Sequence, residues 1–562
     1  MEKFCNWWKL NKRYMILLQS VALGVLPLLC CLVYCAMQGR SIGEVYLPAS
    51  EWNDELFYYK QVEAIVNFGY PQGYFGFNES HALNLSFAAW SPVLVFPWVL
   101  WGLLFGWNLM SPVICNIVLM TLACVLFVWL VRPTWKQQGI LTLLFCLYTP
   151  FVRYMLSTMP EVICFSMLIL FYSLAINYQR SEKTYKLVLL FVLSGVMTLM
   201  RPYLLLFLLL PCFFLIRKAK WKGVGISLAV LGVVLGLYAC IKHFLGAEYF
   251  APLFFTDWVE AFLNDGIFEG IRFTLGKLYY KGLEFIGHVK GGFASGLASG
   301  AFFAGFLVCM VALLGQSVAD FGRLRRLERV PAGGNDGEVS EGKLHGQESA
   351  DPKRRFFPKR ETDRELADFL VIEAHLAFSF VGMLFALLLM YKMTEGSKHL
   401  LTFMAVAVFV ISLMETKFFK KVAMVGVTFA YFYTVMAVEP YDYQVPFVEE
   451  SRAAVVEQWH RELEEKLVLT EGNTPGFDNV VIWTFGDTVE GKSVNTAWQL
   501  LYALPEGFGI NCCMQDYVLE NLESLQSRYL CVVRGGAIEE RCQSLGYERV
   551  IESEDTVIFK RY

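Results

Sequence analysis

The chain has 562 residues, a formal net charge of −3 and a mean hydropathy of +0.45; 56% of its residues are hydrophobic and 18% are charged. Soluble domains carry about 25% charged residues, and a single soluble core cannot absorb this apolar excess, so lipid is the expected solvent. No basic block lies beside aromatic platforms, which excludes the electrostatic footprint of a nucleic-acid binder.

The first apolar run, Met15 to Met37, follows the basic stretch KLNKR and is too long for a signal-peptide core, so it reads as a retained span. Further runs are Ala89 to Phe105, Ser111 to Val131, Gly139 to Val152, Glu161 to Tyr178, Tyr185 to Met200, Tyr203 to Ile216, Val224 to Ile241, Ser295 to Leu314, Ala367 to Met390, Leu400 to Leu413 and Val422 to Val438. Lys and Arg gather on the cytoplasmic side of short loops. If all twelve runs crossed, only the first basic cluster would lie inside. Demoting Ala89 to Phe105, which carries Pro92, Pro97 and a group of tryptophans suited to the interface, brings every cluster inside. About eleven transmembrane helices are therefore expected, within residues 1–440. The amino terminus is then cytoplasmic and residues 441–562 extracytoplasmic, with a bacterial plasma membrane as the first guess.

In this topology the outer face holds a first loop over 38–110, a turn at Ser157 to Glu161, a loop over 243–293, a turn at Thr394 to His399, and the tail. Residues 323–366 are polar and Gly-rich and read as a disordered cytoplasmic linker. From 441 onward, strand-like runs (NVVIWTF, RYLCVVRG, YERVIES, TVIFKRY) alternate with helical ones (VNTAWQLLYAL, AIEERCQSLG), which predicts a small α/β domain. Its cysteines, Cys512, Cys513, Cys531 and Cys542, suit either disulfides or buried thiols. No CxxC or Cys/His metal spacing occurs, and no internal repeat of the kind that builds transporters.

Four outer positions carry charge. EWNDELFYYKQVEAIV places Asp54 and Glu55 at the start of an amphipathic helix with Leu56, Tyr59, Val62 and Val66 on it; simple helix capping accounts for them equally well. In STMPEVICF, Glu161 opens a span after Pro160, which is also ordinary first-turn chemistry. TLMRPYLLL sets Arg201 at an outer turn against the charge bias, where a phosphate partner or snorkelling explains it. YKMTEGSKHLLTF adds Lys392, Glu395, Lys398 and His399, suited to a phosphate or to lipid head groups. Two acidic and two cationic sites thus share one face.

This order of parts resembles the GT-C superfamily of membrane glycosyltransferases, especially the branch of protein mannosyltransferases and the lipid A aminoarabinose transferase, over residues 10–440. The carriers are EWNDELFYY, SPVLVFPWVLWGLLFG, MPE, MRP and EGSKHLL. The chain departs from the family pattern at Ser91, where a proline is usual, at Glu161, where Asp is commoner, and at Lys398, where Arg is usual.

The resemblance implies an inverting transferase that takes a hexosyl or pentosyl group from a polyprenyl-phosphate sugar donor lying in membrane lipid. The acceptor would be a hydroxyl of a glycan, lipid or protein. Asp54 would be the general base, with Glu55 as second choice. Glu161 would assist the acceptor, the lipid phosphate or a metal, and Arg201, Lys398 and His399 would hold the donor phosphate. No cofactor is certain, but a divalent cation is possible, with Asp54 and Glu161 as its ligands. The tail would recognise the acceptor or shield the site. Two rivals stand beside this reading: a lipid-sugar flippase, for which Glu373 and His375 are the nearest intramembrane ionisable residues, and a catalytically degenerate assembly subunit.

Overall fold

A computed structural model describes residues 12–45, 53–69, 71, 75–77, 79, 91–245, 255–295, 298–329, 361–391, 393–415, 417–436, 450–470, 477–494, 496 and 498–561. Helices α1 (Lys12–Gly24) and α2 (Leu26–Met37) form one apolar rod, interrupted just before Pro27, which lacks a backbone donor. The first loop supplies α3 (Asn53–Phe68), the short strand β1 (Phe75–Phe77) and α4 (Phe96–Phe105). Then come α5 (Ser111–Val131), α6 (Trp135–Leu147), α7 (Pro150–Met155), α8 (Glu161–Ser181), α9 (Thr184–Met200) and α10 (Leu205–Leu245).

Helix α10 is two helices, because the chain turns back at Lys220 (φ 51°). Gly223 sits so close to the returning backbone that a Cβ there would lie 2.6 Å from the Leu215 carbonyl oxygen. The runs Tyr203 to Ile216 and Val224 to Ile241 therefore pack face to face, with Leu208 and Cys212 clustered against Val230, Leu231 and Val234. Helices α11 (Asp257–Asn264), α12 (Ile267–Ser295), α13 (Ala298–Arg329), α14 (Glu361–Met390), α15 (Met393–Leu413) and α16 (Lys417–Met436) complete the bundle.

Among the described residues, six helical segments are long and apolar enough to cross a membrane: Tyr14–Met37, Ser111–Val131, Glu161–Ser181, Pro202–Leu245, Ala301–Leu327 and Leu366–Met390. Pro92–Phe105, Thr184–Met200 and His399–Leu413 are shorter apolar helices. The protein is a polytopic helical membrane protein.

Several expected segments come out differently. The run Gly139 to Val152 breaks after Leu147, because Pro150 cannot continue α6 and starts α7 instead. The loop expected over 243–293 contains α11 and most of α12. The turn at Thr394 to His399 is the opening of α15. Of the polar stretch 323–366, residues 323–329 end α13 and 361–366 begin α14, while 330–360 lie outside the described residues.

The tail contributes α17 (Glu450–Lys466), β2 (Val480–Phe485), β3 (Asp487–Val489), β4 (Lys492–Val494), β5 (Gly509–Met514), α18 (Gln515–Asn521), β6 (Tyr529–Val533), α19 (Ala537–Ser544), β7 (Glu548–Glu552) and β8 (Thr556–Lys560). Its sheet has the order β1-β5-β2-β6-β8-β7, with β8 antiparallel to both neighbours and the other contacts parallel. VNTAWQLLYAL yields only a 3-10 turn over Trp498–Ala503, just before Pro505. The four tail cysteines are buried free thiols, and burial pushes Cys542 up to about 12.

Strand β1 comes from the first loop, yet it pairs with β5, Phe75 opposite Cys512 and Phe77 opposite Cys513. Paired strands share one side of a membrane. The chain must therefore cross an even number of times between them: the ten expected spans that follow β1 satisfy this, and a further crossing by Ala89 to Phe105 would not. Helix α4, ten residues and about 15 Å long at 1.5 Å per residue, is too short to supply the odd one.

Candidate active site

Helix α3 is the centre of the arrangement, because it is buried on two sides at once. Tyr58 and Val62 belong to the core of the membrane bundle. Leu56 and Phe57 belong to the core of the tail, together with Trp459, Leu463, Leu504 and Trp483. Four-residue periodicity explains the division, since Glu55, Tyr58 and Val62 share one stripe and Leu56 and Lys60 another.

The support beneath α3 is polar and satisfied. Trp107 donates its ring N–H to the Tyr59 carbonyl at 3.1 Å and stacks on the Tyr59 ring at 5.4 Å. Trp98 donates to Asn116 Oδ1 at 2.9 Å, and Asn116 in turn donates to the Tyr154 and Ser157 carbonyls. Asn116 on α5 thus pins the turn that presents Arg153 and, six residues on from Tyr154's neighbour Met155, Glu161.

Glu55 is fully buried on α3 and faces Arg153, itself buried, at 3.6 Å. Asp54, one residue earlier, is half-buried. A step of one residue is about a third of a helical turn, so Asp54 leaves the bundle face for its edge.

Glu161 opens α8 with its side chain 0% exposed and forms an ion pair at 2.7 Å with Arg201, which is 1% exposed. Arg201 follows α9 in extended conformation before Pro202, where the backbone is kept from helix. Its second terminal nitrogen donates to the Tyr203 hydroxyl at 3.0 Å. That hydroxyl lies 3.4 Å from His399 Nδ1, and the Tyr203 and Tyr391 rings flank the His399 ring at 5.1 and 5.2 Å. Tyr58 of α3 lies near Arg201. The carboxylate, guanidinium, phenol and imidazole therefore form one buried chain that ends under α3.

Of the residues singled out from the sequence, the structure brings Glu161, Arg201 and His399 together from three different helical segments. Lys398 lies in the opening turns of α15, and its side chain is outside the described residues, as is Lys392. Arg153, Tyr203 and Tyr391 were not singled out from the sequence. An arginine inside the apolar stretch FCLYTPFVRYML was the available signal for Arg153, since an unpaired guanidinium is costly among apolar side chains.

Among the described residues no three His, Cys, Asp or Glu side chains gather around a point that could hold a metal. Glu161 is committed to Arg201, and Glu55 to Arg153, so each acid already has a counter-charge. Glu161, one of the two expected cation ligands, thus already has a cationic partner. Among the described residues Glu161 Oε2 is buried without a hydrogen-bond partner, an acceptor position that a donor group entering the site would satisfy.

No family model matches the chain, and no curated protein matches it. Among solved structures, it is similar to ArnT from Cupriavidus metallidurans in the apo state, with 12% identity and a TM-score of 0.39 over 97% of each chain. It is also similar to the Archaeoglobus fulgidus oligosaccharyltransferase in complex with Zn and sulfate, with 11% identity and a TM-score of 0.41 over 90% of this chain and 68% of that one. A third structure, AglB from the same archaeon with an inhibitory peptide and a dolichol-phosphate, is 11% identical with a TM-score of 0.39, over 93% and 70%. ArnT and AglB are both GT-C superfamily membrane glycosyltransferases.

Proposed function

We propose that the protein is a glycosyltransferase that moves a sugar from a polyprenyl-phosphate donor to an acceptor hydroxyl on the extracytoplasmic face of the membrane. The observation that carries this reading is the buried Glu161–Arg201–Tyr203–His399 chain, with Tyr58 of the helix that bears Asp54 and Glu55 near its guanidinium.

Asp54 suits the general base because it is half-buried at the edge of the bundle face, whereas Glu55 is fully buried and paired with Arg153. In the transfer step, Asp54 accepts the proton of the acceptor O–H as that oxygen bonds to the anomeric carbon. The carbon–oxygen bond to the phosphate breaks, its electron pair stays on the lipid phosphate, and the anomeric centre inverts. Base catalysis of this kind contributes about 10² to 10⁴ fold. Arg201 is the principal cation for the leaving phosphate, with His399 in the same chain and Lys398 the neighbouring residue in sequence; its planar fork can hold Glu161 and a phosphate oxygen together. A hexosyl or pentosyl group would be carried equally by this chemistry.

The test is transfer of labelled sugar from a panel of polyprenyl-phosphate donors by wild type and Asp54→Asn at matched expression. Transfer by wild type that falls by about 10² or more in the variant supports the reading. Retained activity in Asp54→Asn moves the base to Glu55 or Glu161, and absence of transfer from every donor overturns the enzyme reading.

One observation favours the rival flippase reading. Glu373 on α14 is fully buried, and Asp320 on α13, also buried, lies against it. Intramembrane carboxyls of this kind mark ion pathways in transporters. His375, by contrast, is fixed at both nitrogens: the ring N–H at Nε2 donates to the Leu206 carbonyl at 3.1 Å, and Nδ1 then accepts from Tyr172 at 2.9 Å. Vesicle assays of lipid-linked sugar translocation with Glu373→Gln separate the two readings.

A further inference from the structure

The tail domain reaches α3 through two buried charged groups that the transfer mechanism does not use. Lys60 is 3% exposed, and its ammonium donates to the Leu504 carbonyl at 3.1 Å and to Glu63 Oε2 at 2.8 Å. A buried ammonium without partners costs several kcal/mol, so Lys60 holds α3 to the tail segment that carries Leu504. Glu79 is also buried, and its carboxylate accepts the backbone N–H groups of Gln526 and Ser527 at 2.6–2.8 Å. Charge-assisted bonds to peptide N–H groups are short and directional, and they anchor the chain immediately after β1 to the loop ahead of β6.

Apolar contacts fill the space between these two anchors. Leu56 and Phe57 complete the tail core around Trp459 and Leu463, and the Tyr59 ring lies 5.6 Å from that of Tyr502. On the bundle side α3 is held by Trp107 and by the Glu55–Arg153 pair. Each side fixes a different stripe, so rotation of α3 about its axis is resisted only when both are engaged.

We propose that Lys60 and Glu79 are positioning residues through which the tail domain sets the rotation of α3, and with it the place of Asp54 at the edge of the bundle. The tail is then part of the active-site scaffold. The kinetic arm of the test rests on Asp54 as base; the structural arm does not.

The experiment uses the full chain in nanodiscs, with Lys60→Met, Lys60→Arg and Glu79→Gln beside wild type. Two quantities are read: amide hydrogen exchange of residues 53–68 against residues 161–181, and kcat, acceptor KM and binding of a polyprenyl phosphate. In Lys60→Met and Glu79→Gln, exchange of 53–68 rises about tenfold while 161–181 is unchanged. The same variants lose about 10- to 100-fold in kcat with lipid-phosphate binding within about twofold, as expected when a reacting group is displaced by ångströms. Lys60→Arg, which keeps a buried donor, recovers most of both. Unaltered exchange in 53–68 overturns the proposal, as does a rise spread evenly over both segments. If wild type transfers no sugar, the enzyme reading falls while the exchange data still decide the positioning role.

Discussion

Buried charge is handled differently in the two halves of the molecule. In the bundle Glu55 on α3 faces Arg153 and Glu161 faces Arg201. On the tail side peptide groups do more of this work: Glu79 of the first loop accepts from Gln526 and Ser527, Asp487 accepts from Thr488 at 2.7 Å, and Glu539 accepts from Gly535 as well as from Arg549. A guanidinium on a side chain can turn part of its fork toward an incoming phosphate and remain neutralised. Peptide groups locked in loops have no such second partner. The difference marks Glu161 as a group that can exchange partners and Glu79 and Asp487 as fixed joints.

The comparison breaks first at Arg201. Arg201→Met leaves Glu161 buried without a counter-charge and is expected to cost about 3–5 kcal/mol of stability and to abolish transfer. Thermal unfolding in detergent together with the donor assay reads both. The double substitution Glu161→Leu with Arg201→Met sharpens the point: stability returns to within about 1–4 kcal/mol of wild type on either side, since apolar replacement of a buried pair is often neutral, while transfer stays lost. Recovery of transfer in the double variant would show that the pair is not a functional group.

Glu55→Gln has a smaller effect. Its amide fills the same space but leaves Arg153 with a weaker partner, so a loss of about 1–3 kcal/mol is expected. Transfer falls less than in Asp54→Asn, and the reverse order would exchange the roles of the two acids.

The smallest effect is at Asp487. Burial holds its carboxyl above the ordinary aspartate range, against the backbone N–H groups of Thr488, Ala537 and Ile538 that lower it. The folded state therefore binds this proton more tightly than the unfolded state. Stability from this group is complete below about pH 3.9 and is lost as pH rises toward the raised native value. Asp487→Asn should flatten that slope in pH-dependent melts of the tail while leaving transfer unchanged. Gly536→Ala tests the same joint by sterics, because a Cβ at Gly536 would lie 2.3 Å from Asp487 Oδ2.

The sequence made the bundle legible because apolar runs, charge bias and proline are local signals. The span starts at Glu161, the turn at Arg201 and the amphipathic helix after Asn53 all follow from neighbours a few residues away. Arg153 escaped because its meaning depends on Glu55, nearly a hundred residues earlier in the chain and on another helix. Helix α12 read as a loop because Gly270, Gly276, Gly282, Gly287, Gly291 and Gly292 each lower helix propensity by about 1 kcal/mol relative to alanine. Burial of residues such as Phe285 in the bundle core overrides that local preference. Strand β5 escaped for the opposite reason: GINCCM is apolar on both faces, as a central parallel strand is, and lacks the alternation that marks one-sided strands.

The pairing of β1 with β5 also sets an order of events during synthesis. More than four hundred residues separate the two strands, so at about 5–20 residues per second roughly 20–90 s pass between their emergence. Throughout that interval Leu56 and Phe57 lack the core that later covers them, and α3 has only its bundle side to rest on. A chain released early would insert its helices yet carry an unseated acidic helix, so competence for chemistry is withheld until the last strands arrive.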